Sequence, residues 1–149
     1  LFNRVLAQRV QSSTWNTAQV GDVLAFTGSR SFFIAGPDEC NDPRLAKLDV
    51  HPTGPLWGEG ELASQAQTLH DEQQLAATLA ELCTWLERAN LQQERRILRL
   101  PVRDLTWSFP AEDCLQLQFI LPPGCFATVV LRELVELLSV TEAVHACEF

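Results

Sequence analysis

The segment that most constrains this chain lies between residues 105 and 134. Leu105, Trp107 and Phe109 alternate with Thr106 and Ser108, and a second run alternates Leu115, Leu117, Phe119 and Leu121 with Gln116 and Gln118. A period of two in neighbouring runs marks half-buried strands. The intervening Pro110-Ala111-Glu112-Asp113 predicts the turn that folds one run onto the other. One face of this hairpin should be apolar and core-directed, the other polar and partly wet, a plausible wall for a cleft. The second strand then meets Leu121-Pro122-Pro123-Gly124, a turn that regular structure does not cross. Beyond it Ala127, Val130, Leu131, Leu134, Val135 and Leu138 recur at helical spacing. A helix with one buried stripe is expected, each large side chain contributing about 1.5–3 kcal/mol as an upper bound. Phe126 stands at its mouth, where free backbone N–H groups and the positive dipole end favour an anion or an electron-rich group. Thr128 and Arg132 fall one turn apart on one flank, and Arg132 is also spaced for an i,i+4 pair with Glu136.

Upstream, Leu1, Val5, Leu6 and Val10 share a helical face. Val20-Gly21-Asp22 signals a turn, and residues 23–27 and 31–35, joined by Gly28-Ser29-Arg30, predict a second hairpin. Asp42-Pro43 opens a short helix running to Leu48. Residues 51–60 hold two prolines and three glycines, which predicts an ordered loop and argues against a helix or a central strand. Its Trp57 either fills a hole between elements or meets a partner. Residues 61–91 read as two helices. The first carries Leu62, Ala66 and Leu69, and the second, from Asp71-Glu72, has Leu75, Leu79, Leu82 and Leu86 as its apolar face with Cys83 alongside. Asn90 suits a C-terminal cap, and residues 95–102 read as extended. Together the elements predict an α/β chain of the α+β type.

With 149 residues, 46% of them apolar, the chain can build one core or two small lobes. No window approaches the roughly 18 apolar residues of a membrane span, and residues 1–4 lack a signal-peptide pattern, so the cytoplasm is the expected compartment. The absence of methionine and the opening on Leu1 suggest a piece of a longer chain. Cys40, Cys83, Cys114, Cys125 and Cys147 show no C-x-x-C pair, which favours reduced thiols. His51, His70 and His145 are scattered, as surface or turn histidines would be, and suggest no metal site. A formal charge of −8 counts against nucleic-acid binding. Even so, Arg95, Arg96, Arg99 and Arg103 crowd into one short stretch and could form a local basic strip.

Leu121-Pro122-Pro123-Gly124-Cys125-Phe126-Ala127-Thr128, followed by Leu131-Arg132-Glu133-Leu134, resembles the C-terminal signature of the TruD family of tRNA pseudouridine synthases. Pro52-Thr53-Gly54-Pro55-Leu56-Trp57-Gly58 and the opening Leu1-Phe2-Asn3 also look like bacterial members. The resemblance runs to about Val140. It implies a pseudouridine synthase catalytic domain interrupted by an inserted mixed α/β TRUD domain. Residues 1–100 would be the later part of the insertion. Residues 101–149, an antiparallel hairpin plus a helix, would be the C-terminal part of the catalytic domain.

The resemblance further implies isomerisation of uridine to pseudouridine in tRNA, typically at position 13, through an aspartate nucleophile, with no cofactor and no metal. The partner would be tRNA, without a membrane or a small-molecule cofactor, and the protein a monomer. Phe126 would stack on the target base, with Gly124 and Thr128 beside it and Arg132 positioning a carboxylate or a phosphate. Cys125 stands where relatives often carry another residue. The family's Gly-x-Lys-Asp motif occurs nowhere in these 149 residues, so no aspartate here inherits the nucleophile's role and the chain alone should be inactive. The rival expectation is a non-catalytic RNA-binding or interaction module using the basic strip. A structural α/β domain without RNA contact is the third.

Overall fold

Antiparallel pairing organises the chain. The computed structural model describes residues 1–136, which fall into two units, Leu1–Arg99 and a second beginning at Leu100. In the first, α1 (Phe2–Gln11) turns Val5 and Arg9 inward. Next, β1 (Val23–Phe26) and β2 (Phe32–Ile34) form the predicted hairpin, Val23 opposite Ile34, with Gly28 at φ +71° in the turn. A 3-10 turn over Asp38–Asn41 leads to α2 (Pro43–Ala46), where Pro43 needs no donor and the Asp42 carboxylate caps the Arg44 N–H. Further on come β3 (Val50–Leu56) and β4 (Glu94–Ile97), which complete a sheet of order β2-β1-β3-β4. Ala18, Leu24, Ala35, Leu45 and Val50 form the core, with Phe26 and Phe33 packed against it.

The segment expected to be a loop is therefore a central strand, and stagger is the reason. β1 pairs with Val50, His51 and Pro52, whereas β4 pairs with Thr53 through Leu56. Each half of β3 thus has one free edge, where a missing N–H costs little. The Pro52 carbonyl accepts the Leu98 N–H at 2.9 Å. Pro55 opposes Arg95 and, by the alternation of the ladder, directs its nitrogen away from β4 to the side where β1 has already ended. Of the loop reading, Gly58 survives. A Cβ there would lie 2.3 Å from the Gln92 carbonyl carbon, so only glycine lets the two backbones approach.

The two helices that follow are α3 (Ala66–Ala77) and α4 (Ala80–Arg88). The break falls at Thr78-Leu79 instead of before Asp71, and the Thr78 hydroxyl donates to the Leu75 carbonyl at 2.7 Å, a bond that competes with continuing helix. The expected leucine stripe is not the buried face: Leu82 is 49% exposed, while Thr68, Glu72, Ala76 and Cys83 are buried. Asn90 behaves as its type suggests. It sits at φ +56°, its N–H reaching the Glu87 carbonyl and that of Leu91 the Leu86 carbonyl, a Schellman ending.

The second unit consists of β5 (Arg103–Ala111), β6 (Cys114–Ile120) and α5 (Ala127–Leu134). Pro110 belongs to β5 and not to the turn, which shrinks to Glu112-Asp113. The register slips by one residue between Ser108 and Ala111, and a bulge there accommodates proline. The apolar face is not a closed core among the described residues, since Trp107 and Phe109 are 67% and 68% exposed. In α5 only Val130 of the expected stripe is buried. The helix stops at Leu134, Val135 is extended, and Leu138 lies outside the described residues. No helix among those residues is long and apolar enough to cross a membrane.

Candidate functional site

The connection from β6 to α5 carries the residues singled out by sequence. Gly124 adopts φ +81°, a left-handed conformation natural to glycine, and the Cys125 N–H closes the turn onto the Pro122 carbonyl at 3.3 Å. No atom lies within 4 Å of where a Gly124 Cβ would be. The chain then extends through Phe126, at φ −109° and ψ 129°, which is the N-cap of α5; its carbonyl accepts the Val129 N–H at 3.1 Å. Phenylalanine has no oxygen with which to cap, so the first-turn N–H groups gain no side-chain acceptor from it. Its ring is 72% exposed and so is not packed into a core among the described residues. Thr128 and Arg132 are exposed on α5. Glu136 does not pair with Arg132, because the helix has ended before the turn that would align them.

The basic strip fares differently. Arg95 clamps Glu72 through both terminal nitrogens at 2.9 Å, and also reaches Thr53. The Arg99 guanidinium bonds the carbonyls of Leu45 and Val50 and donates to His51 Nδ1 at 3.0 Å, and burial pushes its pKa down. That leaves His51 Nε2 to face the Thr27 hydroxyl at 2.8 Å, so His51 is a buried, hydrogen-bonded ring and not a surface histidine. Arg96, on the opposite face of β4, lies over the Phe2 ring at 5.6 Å. Two of the four arginines, Arg95 and Arg99, are therefore committed to the fold, which interrupts the basic strip, while Arg96 and Arg103 stay exposed.

A polar cluster in the first unit was not foreseen. Arg9 grips both oxygens of Asp22, which also accept from Thr68 Oγ1 at 2.8 Å and from the Gln19 N–H at 2.9 Å; Arg9 reaches Gln19 Oε1 as well. Beside it Glu72 accepts from Arg95 and from Ser64 Oγ at 2.6 Å. A cavity of about 210 Å³ opens over this cluster between α1 and α3. Its carboxylates are occupied by neighbouring donors, which makes it a brace between helices and sheet. The legible trace was the fourfold spacing of Ser64, Thr68, Glu72 and Ala76, a buried stripe written in small and polar residues. Cys40, Cys83, Cys114 and Cys125 are free thiols, and burial raises the pKa of Cys83. His145 and Cys147 lie outside the described residues.

Comparison with known proteins gives a consistent result. A family model described as tRNA pseudouridine synthase D (TruD) matches residues 1–134. The tRNA pseudouridine synthase D of Ectopseudomonas mendocina is 58% identical over all 149 residues, and that of Pseudomonas aeruginosa 56%; the chain spans 42% of the length of each. A crystal structure from Methanosarcina mazei, assigned to tRNA pseudouridine synthase D, superposes with a TM-score of 0.70 at 21% identity. It covers 89% of this chain and 35% of that one. At such identity it shows the shared fold.

Proposed function

Because the chain belongs to the tRNA pseudouridine synthase D family, we propose that it serves within a synthase that converts uridine, at position 13, to pseudouridine in tRNA. The reaction detaches uracil from the ribose and rejoins it through carbon. It needs the base out of its stack and an aspartate nucleophile, which the family's Gly-x-Lys-Asp motif supplies and these 149 residues do not contain. The chain contributes one side of the uridine pocket and is inactive alone. Residues 1–100 form the later part of the TRUD insertion and residues 101–149 the C-terminal part of the catalytic domain, a reading supported by the division of contacts after Arg99. The synthase works as a cytoplasmic monomer on tRNA.

The observation that carries this reading is Phe126, an aromatic ring 72% exposed at the N-cap of a helix, directly after a glycine turn. A flipped uracil can stack on that ring. Gly124 leaves the approach open, since it carries no side chain and no atom lies within 4 Å of where its Cβ would be. Thr128 offers a hydroxyl in the first turn of α5, and Arg132 offers a fork to a phosphate or to the incoming carboxylate. In the full-length polypeptide, Phe126→Ala should lower kcat/KM for tRNA by roughly 5- to 150-fold, the equivalent of about 1–3 kcal/mol of base stacking. The urea midpoint should stay unchanged, because the ring buries little. Unaltered turnover would remove Phe126 from the pocket and with it the observation behind the proposal.

A further inference from the structure

The β5–β6 hairpin carries a device that simple alternation conceals. β5 has two slips in register against β6, one between Arg103 and Thr106 and one between Ser108 and Ala111. At the first, Asp104 takes φ +51° and the pair Asp104-Leu105 stands opposite a single residue of β6. By strict alternation Arg103 would share the face of Leu105, Trp107 and Phe109. The extra residue moves it across, so Arg103 pairs with Ile120, next to Thr106 with Gln118 and Ser108 with Gln116. A bulge that re-aims one side chain is a recurrent use of this irregularity. The resulting row of amides and hydroxyls carries Arg103 as its single charge among the paired residues, a cation in a chain of net charge −8.

We infer that this face of the hairpin is an RNA-contact surface, with Arg103 binding a phosphate and Thr106, Ser108, Gln116 and Gln118 hydrogen-bonding ribose 2′-hydroxyls or base edges beside the target uridine. The inference rests on the pseudouridine synthase reading and extends it to residues that no motif assigns. The opposite face, with Leu105, Trp107, Phe109, Leu115, Leu117 and Phe119, is apolar and demands a packing partner. The polar face is the one that can stay wet. From Gln116 to Ile120 it runs roughly 13 Å at about 3.3 Å per residue, room for a few stacked nucleotides. It is continuous in the chain with Phe126, since β6 feeds the Pro-Pro-Gly turn directly. Uncharged donors and acceptors suit 2′-hydroxyls, the groups that distinguish RNA from DNA, and one cation supplies the phosphate term.

The test uses the full-length polypeptide and unmodified tRNA. Arg103→Ala should weaken tRNA binding and reduce the slope of log affinity against log salt by about one, raising KM while kcat stays within about twofold. Arg103→Lys should keep the salt slope. Gln116→Ala combined with Gln118→Ala should weaken binding by at least about fivefold without altering the slope, and should lose discrimination between tRNA and its 2′-deoxy counterpart. These positions are exposed, and thermal midpoints should not move. Unchanged affinity, slope and KM in both variants, with Phe126→Ala still impaired, would overturn the surface and leave the synthase reading intact. An unaltered protein that makes no pseudouridine would defeat the synthase reading, the surface then standing or falling on the binding data.

Discussion

The sharpest stability test lies at Glu72, whose carboxylate is 2% exposed and held by both terminal nitrogens of Arg95 and by Ser64. Glu72→Ala removes the carboxylate and leaves a guanidinium, its side chain only 9% exposed, with the neutral oxygens of Thr53 as its remaining acceptors. Breaking one side of a buried pair costs about 3–5 kcal/mol, chiefly for the charge left behind. At about 1.4 kcal/mol per factor of ten, the folded population of the first unit should fall by more than 100-fold relative to the unfolded. For a unit of this size the thermal midpoint should drop by about 12 °C or more. Arg95→Ala alone should be similarly harmful, whereas the double variant should cost at least about 2 kcal/mol less than the two singles summed, since neither charge is then orphaned. Urea unfolding followed by circular dichroism, with hydrogen exchange at the β3–β4 amides, reads these terms. A loss below about 1 kcal/mol for Glu72→Ala, or singles that add to the double within about 0.5 kcal/mol, would refute the view that this pair braces helix α3 to the sheet.

Two further outcomes follow from backbone and capping geometry. Gly21→Ala should destabilise by about 2 kcal/mol or more, because its φ of +91° is strained for alanine and the new Cβ would fall 2.1 Å from the Gln65 carbonyl oxygen; Gly28→Ala, at φ +71° with open space around it, should cost about 1 kcal/mol, and equal urea midpoints would contradict the difference. The Arg44 side chain, aided by its backbone N–H, holds the Asp42 carboxyl below the usual 3.8, so the cap on α2 is complete above that pH and is lost as pH falls through the lower folded value. Carbon NMR titration should place the midpoint below 3.8, and Arg44→Ala should raise it; a midpoint at or above 3.8 in the unaltered protein would exclude the clamp.

Legibility followed how local the cause was. The β1–β2 turn at Gly28 and the Asn90 cap were readable because each depends on a residue's own backbone preference. β3 was hidden by Pro52 and Pro55, whose tolerance comes from where two other strands end, a property of pairing partners some 25 and 40 residues away. Glu72 read as the start of a helix because a carboxylate is ordinarily a surface residue, and only Arg95 across the sheet makes its burial affordable. In the hairpin, the apolar and polar faces were evident from alternation, but the slip that carries Arg103 from one to the other was not, since a bulge leaves the composition unchanged. Phe126 was placed correctly at the entrance of its helix by the Pro-Pro-Gly turn alone.

The split partnership of β3 has a consequence for how the polypeptide comes into being. During vectorial synthesis β1 is already waiting when Val50, His51 and Pro52 emerge, so the first half of the strand can zip at once. Thr53 through Leu56 find their partner only after α3, α4 and the Asn90 turn have been made. For that interval the nascent sheet shows a bare edge, and Pro52, whose carbonyl faces Leu98 on that side, removes one donor from it. The residue that made the strand hard to read is thus a blunt end that guards an unfinished sheet against pairing with a neighbouring chain.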